Sequence, residues 1–213
     1  MTIEEGLKLK PTFSVPYHYG KIGVEIPQVG RDDFPKFLFD RGYRVGVEVG
    51  VFDGKYGVTL CKAGLKIYGV DPYMNYRGNR RKNYNKHYQQ ASENLKGYDY
   101  MIIKKLSMDA LDDFEDGSLD FVYIDANHTL PYVTEDIFGW AHKVRAGGVI
   151  SGHDYCFTKV SGARKNTIDL DGVHVKGAVD LCAYIMRIDR LYILGQKTEK
   201  GRDKWRSWFF FKQ

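Results

Sequence analysis

The chain has 213 residues, of which 28% are charged and 43% are hydrophobic, and its net charge is +5. This is the composition of a globular protein, and the length suits one domain or one domain with an appendage. No apolar run reaches the roughly 20 residues that cross a bilayer, so the composition argues against a membrane-spanning protein.

The first residues and the cysteines indicate the compartment. Residues 1–6 have neither the basic nor the apolar part of a signal peptide. Cys61, Cys156 and Cys182 are odd in number and widely spaced, and the chain has no CxxC zinc pattern. Reduced thiols explain these cysteines better than a disulfide framework does, and we therefore expect a cytoplasmic protein.

Predicted strands and helices alternate along the chain after an irregular beginning. We predict an irregular arm over residues 1–30, which contain three prolines, and one domain over residues 31–213. The predicted helices are residues 31–41, 55–63, 83–95, 109–114, a segment that begins after Thr129 and ends before Gly147, and 175–188. The predicted strands are residues 45–50, 67–71, 100–106, 119–124, a strand that opens at 149–150, 191–194 and 205–211.

This alternation predicts an α/β fold with a doubly wound, mostly parallel, seven-stranded sheet of the Rossmann-like kind. A polar loop is predicted for residues 156–172. No helix separates the last two strands, so we expect them to form a C-terminal antiparallel hairpin.

Two apolar strands end at acidic residues. The run 121–124 leads into Asp125, with His128 three places later, and a second run ends at His153 and Asp154. Ligands bind outside the carboxyl ends of the strands in an open parallel sheet. Buried charges survive when they are paired or bound to a metal. If the two strands are neighbours, these side chains predict metal-assisted chemistry.

The first strand, turn and helix carry a cofactor pattern. Gly50 and Gly54 allow a tight turn and a close approach of a ligand to the backbone. Asp71 ends the next predicted strand, where an acid can accept both hydroxyls of a ribose. A dinucleotide would require a glycine where Phe52 stands, so the pattern fits S-adenosylmethionine better than NAD.

The stretch 72–92 is basic and rich in tyrosine, with five Arg or Lys residues, four Tyr residues and no acid. Such a stretch can bind nucleic acid through phosphate contacts and base stacking. It can equally be a solvated loop and helix face, or a flap that closes over an anionic or sugar substrate.

Over residues 43–188 the chain resembles the class I S-adenosylmethionine-dependent methyltransferases. Within them it is similar to the metal-dependent sugar O-methyltransferases and the cephalosporin-hydroxylase-like proteins. The Asp-x-x-His pattern combined with a late Asp is its most specific part. The motifs that carry the resemblance are VEVGVFDG at 47–54, GVDP at 69–72, SMD at 107–109, DFVYIDANH at 120–128, Asp136, and GGVISGHD at 147–154.

The resemblance implies a role for each matching residue. It places Asp71 at the ribose and Asp109 near the adenine, and it makes His128 the general base. It also places Asp125 at the cofactor. The resemblance implies a divalent cation, Mg²⁺ or Mn²⁺. The related sugar enzymes have an acid where this chain has His153, so the implied site is a mixed one, which is less strictly a magnesium site and could accept manganese, iron or zinc. The implied methionine-end residues are Glu48, Gly50 and Gly54, and the implied metal ligands are Asp125, His153 and Asp154.

The hypothesis from sequence is a methyltransferase that transfers the methyl group of S-adenosylmethionine to a hydroxyl of a small molecule, for which a sugar is one candidate. A divalent cation lowers the pKa of such a hydroxyl, and a nearby imidazole can take its proton. Two alternatives stay open. One is an RNA-modifying or nucleic-acid-binding protein that uses residues 72–92, and the other is an NAD-dependent oxidoreductase, which Phe52 argues against.

Overall fold

The structure is a computed structural model that describes residues 1–16, 18, 20–74, 83–156, 172–195 and 205–213. Most of the basic part of the stretch 72–92 and nearly all of the predicted polar loop 156–172 lie outside the described residues. Within the described part of the chain, every helix is too short or too polar to span a lipid bilayer.

Seven helices and nine strands are present among the described residues. The helices are α1 (Ile3–Gly6), α2 (Phe34–Asp40), α3 (Lys55–Lys62), α4 (Tyr84–Asn94), α5 (Ser107–Ala110), α6 (Leu130–Lys143) and α7 (Val175–Ile185). The strands are β1 (Phe13–Ser14), β2 (Lys21–Ile26), β3 (Val45–Val49), β4 (Lys66–Val70), β5 (Tyr100–Ile103), β6 (Leu119–Ile124), β7 (Val144–Gly152), β8 (Leu191–Leu194) and β9 (Trp208–Phe211).

The strands form one sheet in the order β1-β2-β8-β9-β7-β6-β3-β4-β5. Strands β5, β4, β3, β6 and β7 are parallel, and β9 pairs antiparallel with both β7 and β8. The predicted doubly wound, mostly parallel sheet with an antiparallel C-terminal hairpin is therefore confirmed. The strand count is nine among the described residues, so the predicted count of seven is wrong.

The two additional strands come from the segment that was predicted to be irregular. The irregular prediction for residues 1–30 is wrong for Lys21–Ile26, which forms β2 and pairs in parallel with β8. The alternate residues Ile22, Val24 and Ile26 are all buried. Their partner strand lies near the other end of the chain, so the prolines, which are local signals, dominated the prediction.

Several element boundaries also differ from the prediction. Strand β7 begins at Val144, which was assigned to the preceding helix, and it runs through Gly147 and Gly148. Val144 still faces the interior, because it is fully buried in its strand position. Strand β9 begins at Trp208 rather than at residue 205, and helix α7 ends at Ile185 rather than at residue 188.

Helices cover both faces of the sheet. Side chains alternate between the faces along a strand, and on β6 Val122 packs with the cluster that contains Ile137 of α6. The next residue, Tyr123, packs with the opposite cluster, which contains Leu38 of α2 and Leu60 of α3. The central strands are therefore buried on both faces, which explains why their sequences are nearly continuous apolar runs.

The strand register aligns the ends of the four central strands. Val49 of β3 pairs with Val70 of β4 and with Ile124 of β6, and Ile124 pairs with Gly152 of β7. The residues that follow these strands therefore meet at one edge of the sheet.

Candidate active site

The turn between β3 and α3 requires glycine at two positions. Gly50 has φ +94°, and a Cβ atom there would lie 2.2 Å from the main-chain oxygen of Asp125. Gly54 has φ +78° at the start of α3. Because glycine has no side chain, the backbone that follows β3 can approach the end of β6 closely. The two segments together form the floor of an open cleft.

Asp71 stabilises this turn. One carboxylate oxygen accepts hydrogen bonds from the amides of Val51 and Phe52, each at 3.1 Å, and the other accepts from the amide of Tyr73 at 2.9 Å. A carboxylate offers about four lone-pair sites, so one site remains for a ligand hydroxyl. Phe52 adopts φ +54° at the cleft and its ring packs on His87, where a dinucleotide pyrophosphate would need open backbone.

An open cleft lies at this edge of the sheet. Its described lining comes from the ends of the central strands and from the segments that follow them. The lining residues are Val49, Gly50, Phe52, Val70, Asp71, Pro72, Met74, Tyr84, Ser107, Asp125 and Ala126.

Ser107, and not Asp109, lines the cleft after β5. Asp109 is exposed on α5. The Ser107 hydroxyl donates to Asp136 at 2.5 Å and accepts from the indole of Trp140 at 2.9 Å. Burial raises the pKa of Asp136 to about 7, against the opposing effect of the Ser107 hydrogen bond. Sequence reasoning did not select Ser107, although it belongs to the SMD motif.

Glu48 lies inside the fold and not among the residues that line the cleft. It is buried on β3, and its carboxylate accepts a hydrogen bond from the hydroxyl of Tyr100 at 2.5 Å. A Cβ atom on Gly57 of α3 would lie 2.9 Å from the same carboxylate. Burial raises the pKa of Glu48 to about 8, although Tyr100 and the charge of Arg31 oppose this shift.

Three of the predicted side chains converge at the edge formed by β6 and β7. Nε2 of His128 lies 3.3 Å from Oδ1 of Asp125 and 3.2 Å from Oδ2 of Asp154. One ligand atom from each of the three residues lies within 4.8 Å of the others, which is close enough for a shared metal ion. Nδ1 of His153 lies 3.0 Å from Oδ1 of Asp154.

The structure therefore groups the predicted site residues differently from the prediction. Asp125 and Asp154 meet as expected. His128, predicted to be the base, supplies the third potential ligand atom, whereas His153, predicted to be a ligand, lies beside Asp154 and outside this group.

The loops that carry His128 and Asp154 are attached to α7 and to its N-cap residue, His174. The amide of His174 donates to the main-chain oxygen of His128 at 2.7 Å. Asp154 has φ +57°, and the next residue, Tyr155, donates its hydroxyl to buried Asp180 of α7 at 2.6 Å. A positive φ at a residue other than glycine is a conformation that the surrounding contacts must hold, and such residues are concentrated at functional sites.

Arg31 reaches the same site from the segment before α2. Its Nη2 donates to Oδ2 of Asp125 at 2.8 Å, and its guanidinium carbon lies 3.9 Å from the centre of the Tyr56 ring. Burial alone would raise the pKa of Asp125, but the hydrogen bond from His128 and the charges of Arg31 and His153 outweigh it and lower that pKa to about 2. Sequence reasoning missed Arg31, because only its start-of-helix position was visible.

The comparisons with known proteins agree with this architecture. The model of a family described as "Methyltransferase domain" matches residues 47–155, which is half of the chain. No curated protein matches the sequence.

Solved structures share the fold at low sequence identity. An O-methyltransferase from Bacillus cereus, solved in complex with SAH, is 18% identical, with a TM-score of 0.57 over 93% of this chain and 85% of its own. The O-methyltransferase TomG from Streptomyces achromogenes, involved in tomaymycin synthesis and solved with SAM, is 15% identical, with a TM-score of 0.57 over 86% of this chain and 79% of its own.

Proposed function

The chain belongs to the methyltransferase-domain family, and we propose that it transfers the methyl group of S-adenosylmethionine to a hydroxyl of a small molecule. One observation carries this proposal. Gly50, Asp71 and Asp125 all line the cleft, and Asp125 also belongs to the cluster of Asp125, His128 and Asp154. The proposed cofactor cleft is therefore adjacent to a group of proton- or metal-binding side chains, and Asp125 belongs to both.

The residues of the cleft fit S-adenosylmethionine. Asp71 retains acceptor capacity for one ribose hydroxyl at the end of β4. The main chain at Gly50 lines the cleft, where a ligand can lie against it. Phe52 disfavours a pyrophosphate, as NAD would require. The bound cofactors named for the two O-methyltransferases with this fold support the same choice. When it is bound, this cofactor supplies an electrophilic methyl group on a sulfonium.

The Asp125, His128 and Asp154 cluster suits a divalent cation. Two carboxylates converge on one imidazole nitrogen. Their mutual repulsion is relieved by a positive charge between them, which is either a metal ion or the protonated imidazole. Oxygen-rich sites with one imidazole suit Mg²⁺ or Mn²⁺. When it is bound, a divalent cation supplies Lewis-acid chemistry that lowers the pKa of a hydroxyl.

His128 cannot use the same nitrogen for both tasks. If Nε2 is a metal ligand, it has no lone pair left to accept the proton of the substrate. We favour the ligand role, because Nε2 is the His128 atom that both carboxylates face. The proton of the acceptor hydroxyl would then leave to solvent water. The base role applies where methyl transfer proceeds without a metal.

Binding and activity measurements test the proposal. Calorimetry should show binding of S-adenosylhomocysteine (SAH) and no binding of NAD. Purified protein should methylate members of a panel of hydroxylated small molecules, sugars included, and EDTA should inhibit the reaction. Binding of NAD without binding of S-adenosylhomocysteine would contradict the proposed function. Transfer to amine acceptors alone would contradict the hydroxyl acceptor.

A further inference from the structure

We propose that Arg31 and Asp125 together form the binding site for the amino-acid end of the cofactor. The Arg31 guanidinium binds the α-carboxylate, and Asp125 binds the α-ammonium. This inference rests on the proposed use of S-adenosylmethionine and adds Arg31, a residue from outside the sequence motifs, to the binding site.

The direction of the cleft leads to this assignment. Asp125 and Gly50 follow β6 and β3, whereas Asp71 and Ser107 follow β4 and β5, and all four residues line the cleft. The strand order β6-β3-β4-β5 therefore places Gly50 and Asp125 on one side of Asp71, and Ser107 on the other. A ribose held by Asp71 places the rest of the nucleoside in the part near Ser107. The amino-acid end must then extend past Gly50 towards Asp125, where Arg31 lies 2.8 Å from the carboxylate.

Arg31 is held rigidly and still has donors to offer. Its guanidinium carbon lies 3.9 Å from the centre of the Tyr56 ring and 5.2 Å from that of Tyr123. A guanidinium has five N–H donors. Nη2 bonds to Asp125, whereas Nε is buried and has no hydrogen-bond partner among the described residues. An unsatisfied buried donor in a native fold calls for a partner such as a ligand or water.

The two side chains are partly exposed. The exposed fraction of the Arg31 side chain is 25%, and that of the Asp125 side chain is 19%. Asp125 lines the cleft and Arg31 contacts Asp125, so the pair holds one positive and one negative group beside the cleft. The amino-acid end of the cofactor has the matching carboxylate and ammonium, so both charges gain a partner when it binds. Arginine suits a carboxylate because its planar donors match the two oxygens.

Ligands with and without the amino-acid end test this assignment. We would titrate wild type, Arg31→Gln, Arg31→Lys and Arg41→Gln with S-adenosylhomocysteine and with 5′-methylthioadenosine, which lacks the amino-acid end. Arg31→Gln should weaken the binding of S-adenosylhomocysteine by about ten- to a hundredfold, which is the effect of losing a charge-assisted hydrogen bond. Its affinity for 5′-methylthioadenosine should change by less than about twofold, because the nucleoside contacts remain.

The control variants separate this role from a structural one. Arg31→Lys keeps the charge but loses the planar donors, so its affinity for S-adenosylhomocysteine should lie between those of wild type and Arg31→Gln. Arg41→Gln should bind both ligands as wild type does, because Arg41 pairs with Glu4 outside the site. If Arg31→Gln unfolds, wild type can be titrated with decarboxylated S-adenosylhomocysteine, which should bind about ten- to a hundredfold more weakly than the intact ligand.

Three results would overturn the assignment. If Arg31→Gln weakens the binding of both ligands equally, Arg31 has a structural role. If Arg31→Gln leaves the affinity for S-adenosylhomocysteine unchanged, Arg31 does not bind the carboxylate. Full affinity of wild type for the decarboxylated ligand would show the same. Failure of wild type to bind S-adenosylhomocysteine at all would refute the proposed function itself, which is a separate outcome.

Discussion

Nε2 of His128 lies 3.2 Å from Oδ2 of Asp154, although the two residues follow different strands of the sheet. The contact exists because β6 and β7 are parallel neighbours whose carboxyl ends are aligned, with Ile124 beside Gly152. It brings the second carboxylate to an imidazole that already faces Asp125. This small group of side chains is the part of the site that single substitutions can test most directly.

Asp154→Asn should remove one metal ligand. We expect Mn²⁺ affinity and kcat each to fall by about tenfold or more, since even partners of metal ligands are worth 10- to 100-fold. Affinity for S-adenosylhomocysteine should stay near that of wild type, because Asp154 is not among the described residues that line the cleft. Calorimetry with each ligand and initial rates measure these effects.

The matched control is Asp116→Asn, which removes an exposed acid that pairs with Lys143. Its Mn²⁺ affinity should equal that of wild type. Unchanged Mn²⁺ affinity in Asp154→Asn would exclude Asp154 from the metal site.

Removal of metal should decide the role of His128. We expect EDTA to reduce the rate by more than about tenfold and Mn²⁺ to restore it in wild type, because a cation lowers the pKa of the acceptor hydroxyl. His128→Asn should respond poorly to added Mn²⁺, since it lacks the third ligand. The measurement is the rate as a function of Mn²⁺ concentration after chelation.

Full activity in EDTA would point to the alternative role. The rate should then increase with pH to a plateau, as it does for a general base, and His128→Asn should lose about 10²- to 10⁴-fold of activity.

Asp136 should make stability depend on pH. Its pKa is raised from 3.8 to about 7 in the fold, chiefly by burial, so the folded chain binds more protons than the unfolded chain between these values. The contribution of Asp136 to stability is therefore complete below about pH 4 and is lost as the pH rises towards 7. The slope for one group is at most about 1.4 kcal/mol per pH unit.

Asp136→Asn should flatten this part of the profile, because the amide does not titrate. Urea unfolding of wild type and variant at pH 4, 5.5 and 7 would reveal the difference. The same slope in both proteins would mean that Asp136 is ionised throughout this range.

Gly50→Ala should destabilise the fold strongly. A Cβ atom at Gly50 would lie 2.2 Å from the main-chain oxygen of Asp125, and φ is +94°. The left-handed conformation alone costs about 1–2 kcal/mol. Because the Cβ atom would also separate the ends of β3 and β6, we expect the free energy of unfolding to fall by about 4 kcal/mol or more in total. The free energy of unfolding in urea measures the loss.

Gly42→Ala is the matched control for this substitution. Gly42 has a similar φ of +87°, but nothing lies within 4 Å of a Cβ atom there. Gly42→Ala should therefore lower the free energy of unfolding by about 1–2 kcal/mol, which is the conformational cost alone. Equal losses at the two positions would show that the contact between β3 and β6 is looser than the structure indicates.

Much of the fold could be predicted because its signals are local. The apolar runs of β3, β4 and β6 and the periodic helix α6 are visible within short windows of sequence. The two strands β1 and β2 were missed because they become strands only through pairing, and β2 pairs with β8 from near the other end of the chain. Prolines and glycines in the same segment are local signals that favour loops.

The site divides in the same way. Asp71 and Asp125 could be selected because an acid after an apolar strand marks the carboxyl edge of a parallel sheet. Asp109 was selected by resemblance, yet it is exposed, and its neighbour Ser107 lines the cleft. Helix phase, which sequence alone defines poorly in such a short helix, determines which of the two residues points inward.

The sequence by itself determined the alternation of strands and helices, the glycine turn and the acids at the strand ends, because each depends on residues that are adjacent in the chain. Only the tertiary structure decided that His128, and not His153, joins Asp125 and Asp154, and that Arg31 reaches Asp125. These contacts join residues from separate segments. Their geometry follows from strand register and loop packing, which no local pattern encodes.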